Sequence, residues 1–459
     1  MYKNYFYTIQ VFTKQKILVP FLFLSLSCST IFAQDSDFVE RCNTAVLYQE
    51  LLDNNPTFRD NRLAIQQHIE QYAQSERELT EVITIPVVFH VIHNGEAEGN
   101  YPNIDEDLIC AQLDQLNDDF RAMNANIGDV PPEFQDDIGD MLIQFCFAAI
   151  DPDGNATNGI RRYDYNQNVY TRTDFDNTIK PQTIWDRDRY FNIWTAELSG
   201  GLLGYAQFPG GPADTDGIVN LASSIGSIAM PSTNGGVFNL GRTVTHEAGH
   251  FFDLFHIWGD DCPFGVFGSC NGSDQVSDTP NQLCPTAGCP TGTTPSSCGS
   301  NDMFQNYMDY TNDACMSMFS KGQVMRSQAT VDVGGFRRPL ATSTVPCTSC
   351  GPDDCPSNLM VNETPITEPL YSATNTITSA GTVASGSNVT FEAGQSITLK
   401  ENFVAENGST FTARIQACTS NLNNEIEERT QDIETVDALE VFPNPTSAIT
   451  TVRLDIATS

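Results

Sequence analysis

The sequence predicts an α/β domain followed by small β segments. Residues 83–93 (ITIPVVFHVIH) form a β-branched and aromatic run that is typical of a buried strand. Residues 104–124 repeat apolar side chains at helical spacing, and residues 244–254 predict a second helix. The chain then becomes rich in Gly, Ser, Pro, Asp and Cys, which predicts irregular structure cross-linked by disulfides.

Changes in composition divide the chain further. Additional core strands are predicted at 141–150, 190–194 and 202–208. The predicted segments are a signal peptide (1–33), a polar helix-prone segment (34–77), the large α/β domain (78–340), a Cys-rich linker (341–371), a small β accessory module (372–420), an acidic linker (421–437) and the start of a further β unit (438–459). Residues 378–415 alternate Val, Thr, Phe and Ile between Gly-Ser steps, which predicts stacked β-turns or a hairpin sheet. The last unit offers two strands at most, so we expect the natural chain to continue beyond residue 459.

Charge and targeting signals indicate a secreted protein. The chain carries 58 acidic and 23 basic side chains, a formal charge of −35, which argues against nucleic-acid or anionic-membrane binding. A basic start, the apolar stretch 17–33 and a small residue before Gln34 are typical of a cleaved signal peptide. No later stretch is apolar enough to insert into a membrane. Attachment to the cell surface by lipidation of Cys28 is the less favoured alternative.

Cysteine content agrees with export. The chain has 14 cysteines, and disulfides are the default in an oxidising compartment. Removal of Cys28 with the signal peptide leaves an odd number, so one further cysteine needs another role. Cys42 is the candidate, and the remaining cysteines can then pair completely.

One short segment carries the signature of a catalytic zinc site. Residues 246–256 read HEAGHFFDLFH, and residues four apart on a helix share a face. His246 and His250 can therefore bind one ion, while Glu247 is placed to take a proton from a zinc-bound water. His256 reaches the same ion only if the helix ends near residue 253 and the chain doubles back.

A methionine downstream supports this interpretation. Met308 lies in NYMDYTNDACMSMF, and a Met-containing turn beneath the metal accompanies the three-histidine motif in metzincins. Together with HEAGHFFDLFHIWGD, GGLLGYAQFPGGPADTDGIV and IPVVFHVIHN, this stretch resembles the pappalysin family of metzincins, in its bacterial ulilysin-like branch. The resemblance covers roughly residues 38–335.

The resemblance implies a fold and an activity. We expect a metzincin catalytic domain with a twisted mixed sheet, an active-site helix and an irregular disulfide-rich lower subdomain, preceded by residues 34–77 as a pro-segment. The implied activity is zinc-dependent hydrolysis of protein or peptide substrates. Tyr310 is implied as a phenol that stabilises the oxyanion. Asp313 is implied at the floor of the pocket for the residue after the scissile bond, which favours cleavage before Arg and, less well, Lys.

One residue departs from the family pattern, because Asp253 stands where the family has Gly and φ should be positive. Asp tolerates left-handed geometry better than most residues, so we expect the turn to persist. The alternative function is that of a catalytically weak or dead binding protein or adhesin. That alternative would be favoured by a missing ligand or a missing Glu247, and neither is missing.

Other residues predict cation binding and latency. The loop GSDQVSDT contains three candidate ligands of a structural Ca²⁺, namely Asp274, Asp278 and Thr279. The resemblance also implies bound calcium. The alternative is a solvated acidic loop. The thiolate of Cys42 is a candidate zinc ligand in the zymogen, and the alternative is a disulfide with an unidentified partner.

The carboxyl-terminal part predicts a link to export. The segment 438–459, with VFPNPT, resembles the start of a sorting domain used by type IX secretion, which implies the secretion machinery as a partner. Residues 378–415 resemble an accessory β segment found in similarly exported proteins.

Overall fold

A computed structural model describes residues 41–75, 77, 79–262, 268–348, 358–362, 364–366, 370–373, 376–394, 396–400, 403–415 and 453–456. The predicted signal peptide with Cys28, the acidic linker, Cys350, Cys355 and Cys418 lie outside these residues, as does most of the predicted sorting segment. None of the helices in the described ranges has the length and apolar character that a membrane span needs.

Most of the described helices lie in the predicted α/β domain. They are α1 (Thr44–Asn54), α2 (Pro56–Gln74), α3 (Glu106–Phe120), α4 (Arg172–Asp174), α5 (Lys180–Thr183), α6 (Arg242–Phe251), α7 (Lys321–Val331) and α8 (Arg338–Ala341). The predicted helices at 104–124 and 244–254 are thus confirmed as α3 and α6, each with shorter bounds. Asp105 caps α3 by accepting the N–H of Leu108 over 2.7 Å.

A mixed sheet of seven strands forms the centre of the domain. Its strands are β1 (Ile83–His93), β2 (Ile143–Ala148), β3 (Ile160–Asp164), β4 (Phe191–Ala196), β5 (Gly204–Ala206), β6 (Ile218–Leu221) and β9 (Cys347–Thr348), with a separate two-stranded hairpin of β7 (Ser296–Ser297) and β8 (Ser300–Asn301). The order is β5-β6-β4-β1-β2-β9, and β3 pairs with β1. The central strands run parallel, whereas β5 and β9 are antiparallel to their neighbours.

The burial of β1 explains its nearly uninterrupted apolar sequence. Residues from Ile85 to Ile92 of β1 are all buried, as expected for a parallel strand covered on both faces. On one face, Val87 and Phe89 share a core with Leu116 of α3 and Ala248 of α6. The sheet therefore supports the helix that carries the predicted zinc ligands.

A buried carboxylate joins α3 to α6. Asp119 forms an ion pair with Arg242 over 2.5 Å and accepts hydrogen bonds from Thr245 (2.6 Å) and from the Tyr307 hydroxyl (3.0 Å). All four side chains are buried. A buried charge is tolerated when it is paired and fully hydrogen-bonded, so this cluster fixes the start of α6 against α3.

Disulfides cross-link the irregular region after α6, as predicted. The bonds Cys262–Cys284, Cys270–Cys298 and Cys289–Cys315 lie in this region, and Cys146–Cys347 joins β2 to β9. Cys110 is disulfide-bonded as well. Among the described residues, Cys42 is the free cysteine.

The accessory module is a stack of parallel strands. The strands are β10 (Asn358–Val361), β11 (Leu370–Ala373), β12 (Thr376–Ser379), β13 (Thr382–Val383), β14 (Asn388–Ala393), β15 (Ser396–Leu399), β16 (Val404–Ala405), β17 (Thr410–Ile415) and β18 (Arg453–Ile456). The stack thus extends beyond the predicted bounds 372–420, because β10 and the start of β11 lie in the predicted linker and β18 lies in the predicted sorting segment. Every pairing among them is parallel. Hairpins require antiparallel strands, so the hairpin alternative was wrong and the stacked-turn alternative was right. Phe391, Phe411 and Val389 fill the interior of the stack.

Candidate active site

The start of α6 is fixed by Asp313. One oxygen of its carboxylate accepts the backbone N–H groups of Leu240 (2.8 Å) and Arg242 (3.3 Å). The free N–H groups at the start of a helix favour a negative charge, so this position suits a carboxylate. Asp313 thus acts on the helix in a way that the sequence did not predict.

The end of α6 turns the chain back toward the helix. The N–H of Leu254 bonds to the carbonyl of Gly249 over 3.0 Å, and Asp253 adopts a φ of +77°. A left-handed residue closes a helix in this way. His256 therefore returns to the face that carries His246 and His250, and the expectation that the turn persists with Asp253 is confirmed.

The three histidines converge on one point. Their Nε2 atoms lie 3.2 Å (His246 to His256), 3.2 Å (His246 to His250) and 3.1 Å (His250 to His256) apart. Three nitrogens at about 2.1 Å from one tetrahedral ion are separated by about 3.4 Å. The spacing therefore suits a single zinc ion.

Each imidazole is held by its other nitrogen. Nδ1 of His246 lies 2.7 Å from the carbonyl of Tyr307, and Nδ1 of His250 lies 2.6 Å from that of Leu254. Nδ1 of His256 contacts the carboxylate of Asp260. These acceptors place the proton on Nδ1 and leave the Nε2 lone pairs directed at the shared point.

The charge state of the rings also suits a metal. Burial, together with the neighbouring His256, lowers the pKa of His246 to about 3 and the pKa of His250 well below its ordinary value. Both rings are therefore neutral at physiological pH, which is the form that binds zinc. The residues fit the ion that the sequence motif predicts.

Glu247 lies beside the histidines in a closed environment. Its Oε2 accepts the hydroxyl hydrogen of Thr44 over 3.0 Å and lies 3.5 Å from the Cys42 sulfur. A Cβ on Gly204 would lie 2.8 Å from Cγ of Glu247, so strand β5 passes directly over this carboxylate. Burial raises the pKa of Glu247 to about 8.

Met308 packs under the helix, where the sequence predicted it. A Cβ on Gly249 would lie 2.5 Å from its sulfur, so glycine at that position allows the close approach. The Met308 carbonyl accepts the N–H of Ile257 over 3.3 Å, which ties this turn to the chain that carries His256. Tyr310 follows the turn, with its ring centroid 5.0 Å from that of His256 and its hydroxyl 3.4 Å from the carbonyl of Cys42.

Cys42 completes the cluster. Its sulfur lies 3.4 Å from Nε2 of His250, and it forms with the three histidines a set of ligand atoms within 4.8 Å of one another. Burial and the nearby Glu247 raise the pKa of the thiol well above its ordinary value. A thiolate in this position therefore needs a cation to compensate its charge.

The chain around Cys42 runs along the edge of the sheet. The N–H of Asn43 bonds to the Gly204 carbonyl (3.1 Å), and the Arg41 carbonyl accepts the N–H of Leu203 (2.9 Å). The bridge between Cys42 and Gly204 is parallel. The segment that carries Cys42 thus occupies the edge of the sheet at β5.

Arg41 is part of the wall of a pocket next to the histidines, which we name the Arg41 pocket. Arg41, Phe238 and Asp313 line this pocket together with His246 and Met316. The guanidinium lies 4.5 Å from the centre of the Phe238 ring and donates to the Tyr310 carbonyl. Burial raises the pKa of Asp313 to about 7.

Asp253 forms ion pairs with two arginines, and the sequence analysis predicted neither of them. Its carboxylate pairs with Arg62 of α2 and, over 2.7 Å, with Arg326 of α7. Nε of Arg326 also donates to the Asp253 carbonyl over 2.7 Å. All three side chains are buried, so the departure from glycine at this turn creates a buried ionic cluster.

The calcium candidates bond to one another and to α7. The Thr279 hydroxyl donates to Asp274 over 2.7 Å, and Asp278 accepts the hydroxyl of Ser320 (2.7 Å) and the N–H of Gly322 (2.7 Å). Burial raises the pKa of Asp274 to about 7. Calcium binding by Asp274, Asp278 and Thr279 stays a prediction.

The roles of two site residues escaped the sequence analysis. Asp260 orients His256, although its sequence signal, an acidic residue four positions after a ligand, is weak without the turn geometry. Thr44 joins the N–H of Ala206 (2.8 Å) to Glu247 (3.0 Å) across more than 150 residues, so no local pattern could identify it.

Comparisons with known proteins agree with this geometry. A family model described as Pregnancy-associated plasma protein-A, Peptidase_M43, matches residues 173–332. An extracellular metalloprotease of Arthroderma gypseum is 30% identical over 257 residues, which span 54% of this chain and 73% of that protein. The chain belongs to this metalloprotease family. The resemblance to pappalysins is thereby confirmed, whereas the resemblance to a sorting domain stays a prediction.

Other known proteins match parts of this chain in sequence or structure. Extracellular metalloprotease 1 of Coccidioides posadasii is 40% identical over 138 residues, 29% of this chain and 47% of its own length. A solved promirolysin mutant of Tannerella forsythia has a TM-score of 0.57 at 35% identity and covers 66% of this chain and 97% of its own. Mature mirolysin with a cleaved peptide has a TM-score of 0.52 at 39% identity, covering 57% and 97%. The predicted metzincin fold class is confirmed.

The role of Asp313 at the start of α6 predicts an effect on stability. Asp313→Ala leaves two buried N–H groups without a partner, which should lower the free energy of unfolding by about 2 kcal/mol. Asp313→Asn keeps an acceptor oxygen and should cost less. Urea denaturation of the two full-length variants measures the difference. Equal losses in both would contradict the capping role.

Proposed function

We propose that the full chain is the secreted, latent precursor of a zinc-dependent endopeptidase that cuts before Arg and, less well, before Lys. The observation that carries the proposal is the convergence of three buried imidazole Nε2 atoms beside Glu247. The extracellular names of the relatives support secretion. The proposal includes a structural Ca²⁺ at the Asp274 loop and a secretion-machinery partner for residues 438–459.

In the proposed mechanism, His246, His250 and His256 hold the zinc ion, which when bound acidifies a water molecule and polarises the substrate carbonyl. Glu247 takes a proton from that water and delivers it to the leaving amide nitrogen.

Other residues bind the substrate and the developing charge. Strand β5 ends the described sheet, and its edge can pair with an extended peptide, as it now pairs with the chain around Cys42. We propose that the Tyr310 hydroxyl, which lies 3.4 Å from the carbonyl of Cys42, donates to the oxyanion of the reacting peptide bond.

Substitution of Glu247 tests this mechanism. Glu247→Gln keeps the shape of the side chain but cannot accept the proton, so peptide cleavage should fall by on the order of a thousandfold or more. Zinc content, measured by elemental analysis, should stay at one per chain because the histidines are intact. Glu81→Gln, at an exposed position, is the matched control. Near wild-type turnover by the zinc-loaded Glu247→Gln protein would disprove the assignment.

Latency is proposed to come from Cys42. Its sulfur completes the ligand set, and Thr44 and the pairing with Gly204 hold it there. Activation would then require a cut between residues 76 and 77. Arg77 is 53% exposed at its side chain, and Glu76 lies outside the described residues.

Removal of the sulfur should therefore release activity. We expect full-length Cys42→Ala to cleave peptides before the amino-terminal segment is cut, whereas the wild-type chain does not. In the Glu247→Gln background, which cannot process itself, the Cys42 thiol should react with a thiol reagent only after zinc is chelated. Mass spectrometry that finds Cys42 in a disulfide would refute the latch.

The specificity proposal is supported by the Arg41 pocket. Arg41 lines the same pocket as Asp313, and its guanidinium lies against the Phe238 ring. The ionised carboxylate of Asp313 can attract a substrate guanidinium in the same pocket, and arginine can form two parallel hydrogen bonds with it.

Asp313→Asn tests the charge without removing the acceptor for α6. The wild-type enzyme should cleave a peptide with Arg after the scissile bond at least about tenfold better than its norleucine analogue, since a charged hydrogen bond contributes that much. In Asp313→Asn this ratio of kcat/KM should fall close to one. A peptide-library profile of the wild type without enrichment of Arg or Lys after the cut would remove the specificity proposal and leave the zinc site standing.

A further inference from the structure

The contact between Arg62 and Asp253 reveals a second position that recognises a guanidinium. Arg62 donates to the Asp253 carboxylate and, over 3.1 Å, to the Pro209 carbonyl. Its guanidinium also lies 5.3 Å from the centre of the Phe208 ring. A carboxylate, a carbonyl and an aromatic ring together bind a planar cation well.

These three groups belong to the catalytic domain, and we name them the Asp253 subsite: the Asp253 carboxylate, the Pro209 carbonyl and the Phe208 ring. The side chains that cover them, Arg62 and Tyr48, belong to the amino-terminal segment. Removal of that segment would expose the subsite with its oxygens directed at the vacated position. The other oxygen of Asp253 stays ion-paired with Arg326, which holds the carboxylate in place.

The subsite lies next to the metal ligands. The Phe208 ring centroid is 5.5 Å from that of His250. Along its path, the amino-terminal segment passes from the Arg41 pocket to Cys42 at the histidines and then places Tyr48 4.9 Å from Phe208. Along this path, the segment contacts the Arg41 pocket before it passes the histidines and the Asp253 subsite after it has passed them.

We propose that, once the amino-terminal segment is removed, the Asp253 subsite binds an Arg or Lys side chain of the substrate on the amino-terminal side of the scissile bond. This inference rests on the proposed function, in which the residue after the scissile bond enters the Arg41 pocket. The family pattern has glycine in place of Asp253, and glycine offers no carboxylate. The subsite is therefore a feature of this chain's own sequence.

Cleavage kinetics test the proposal. The full chain is activated, the amino-terminal segment is separated, and peptides with Arg after the scissile bond are compared. Each peptide carries Arg or citrulline, which has the same shape without the charge, at the second, third or fourth residue before that bond. At one of these positions the wild type should prefer Arg at least about tenfold in kcat/KM. Asp253→Gly and Asp253→Asn should reduce that ratio to about one, whereas the exposed control Asp214→Asn should keep it.

A binding measurement separates this proposal from the proposed function. In the Glu247→Gln background, with the segment released at a protease site introduced at residues 76–77, fluorescence anisotropy gives the affinities of uncut peptides. Failure of the wild-type enzyme to cut any peptide would refute the proposed function, while the Arg-to-citrulline affinity ratio still tests the subsite. No discrimination by the parent protein at any position, or equal discrimination after Asp253→Gly, would overturn the proposal.

Discussion

The structure depends on bringing three imidazole nitrogens within 3.2 Å of one another in a buried site. Nitrogen lone pairs directed at one buried point repel one another, so the arrangement is unfavourable unless a cation lies there. Every neighbouring element contributes to holding them. The sheet supports α6, the Met308 turn supplies a carbonyl to His246 through Tyr307, and the turn at Asp253 returns His256.

Several arginines of this chain, which has a formal charge of −35, are buried in ion pairs with aspartates. Arg242 pairs with Asp119, Arg337 with Asp216, and Arg326 with Asp253, each with little or no exposure. Arg337 also lies 3.5 Å from the centre of the Phe251 ring at the end of α6. Breaking such a pair costs more than forming it contributes, because a buried charge is then left alone. These pairs therefore specify how α3, α6 and α7 meet.

The sequence predicted the parts of the site whose residues are close along the chain. The spacing of His246, His250 and His256 required a helix that ends near residue 253, and the structure has that helix and that turn. Strand β1 was predicted with its observed bounds because a buried parallel strand is apolar without interruption. The family resemblance, more than periodicity, pointed to Met308, Tyr310 and Asp313.

Contacts between distant parts of the chain could not be predicted in this way. Thr44 and Arg62 reach Glu247 and Asp253 across more than 150 residues, and polar residues on an amphipathic helix give no sign of their partners. The β module was ambiguous for a related reason. Alternating residues between turns fit parallel coils and hairpins equally, because pairing direction is set by which strands meet in space.

Asp253 has an unfavourable backbone conformation but forms ion pairs with residues distant in the sequence. A non-glycine residue at a φ of +77° costs about 1 kcal/mol relative to glycine. Its buried carboxylate is tolerated because Arg62 and Arg326 both pair with it. Loss of the amino-terminal segment removes Arg62 and lets water reach the Asp253 carboxylate. Hydration then lowers the free-energy cost of a carboxylate that is paired only with Arg326. The residue that fastens the segment to the turn between two metal ligands is therefore tolerated after the segment has gone, because Arg326 still pairs with it.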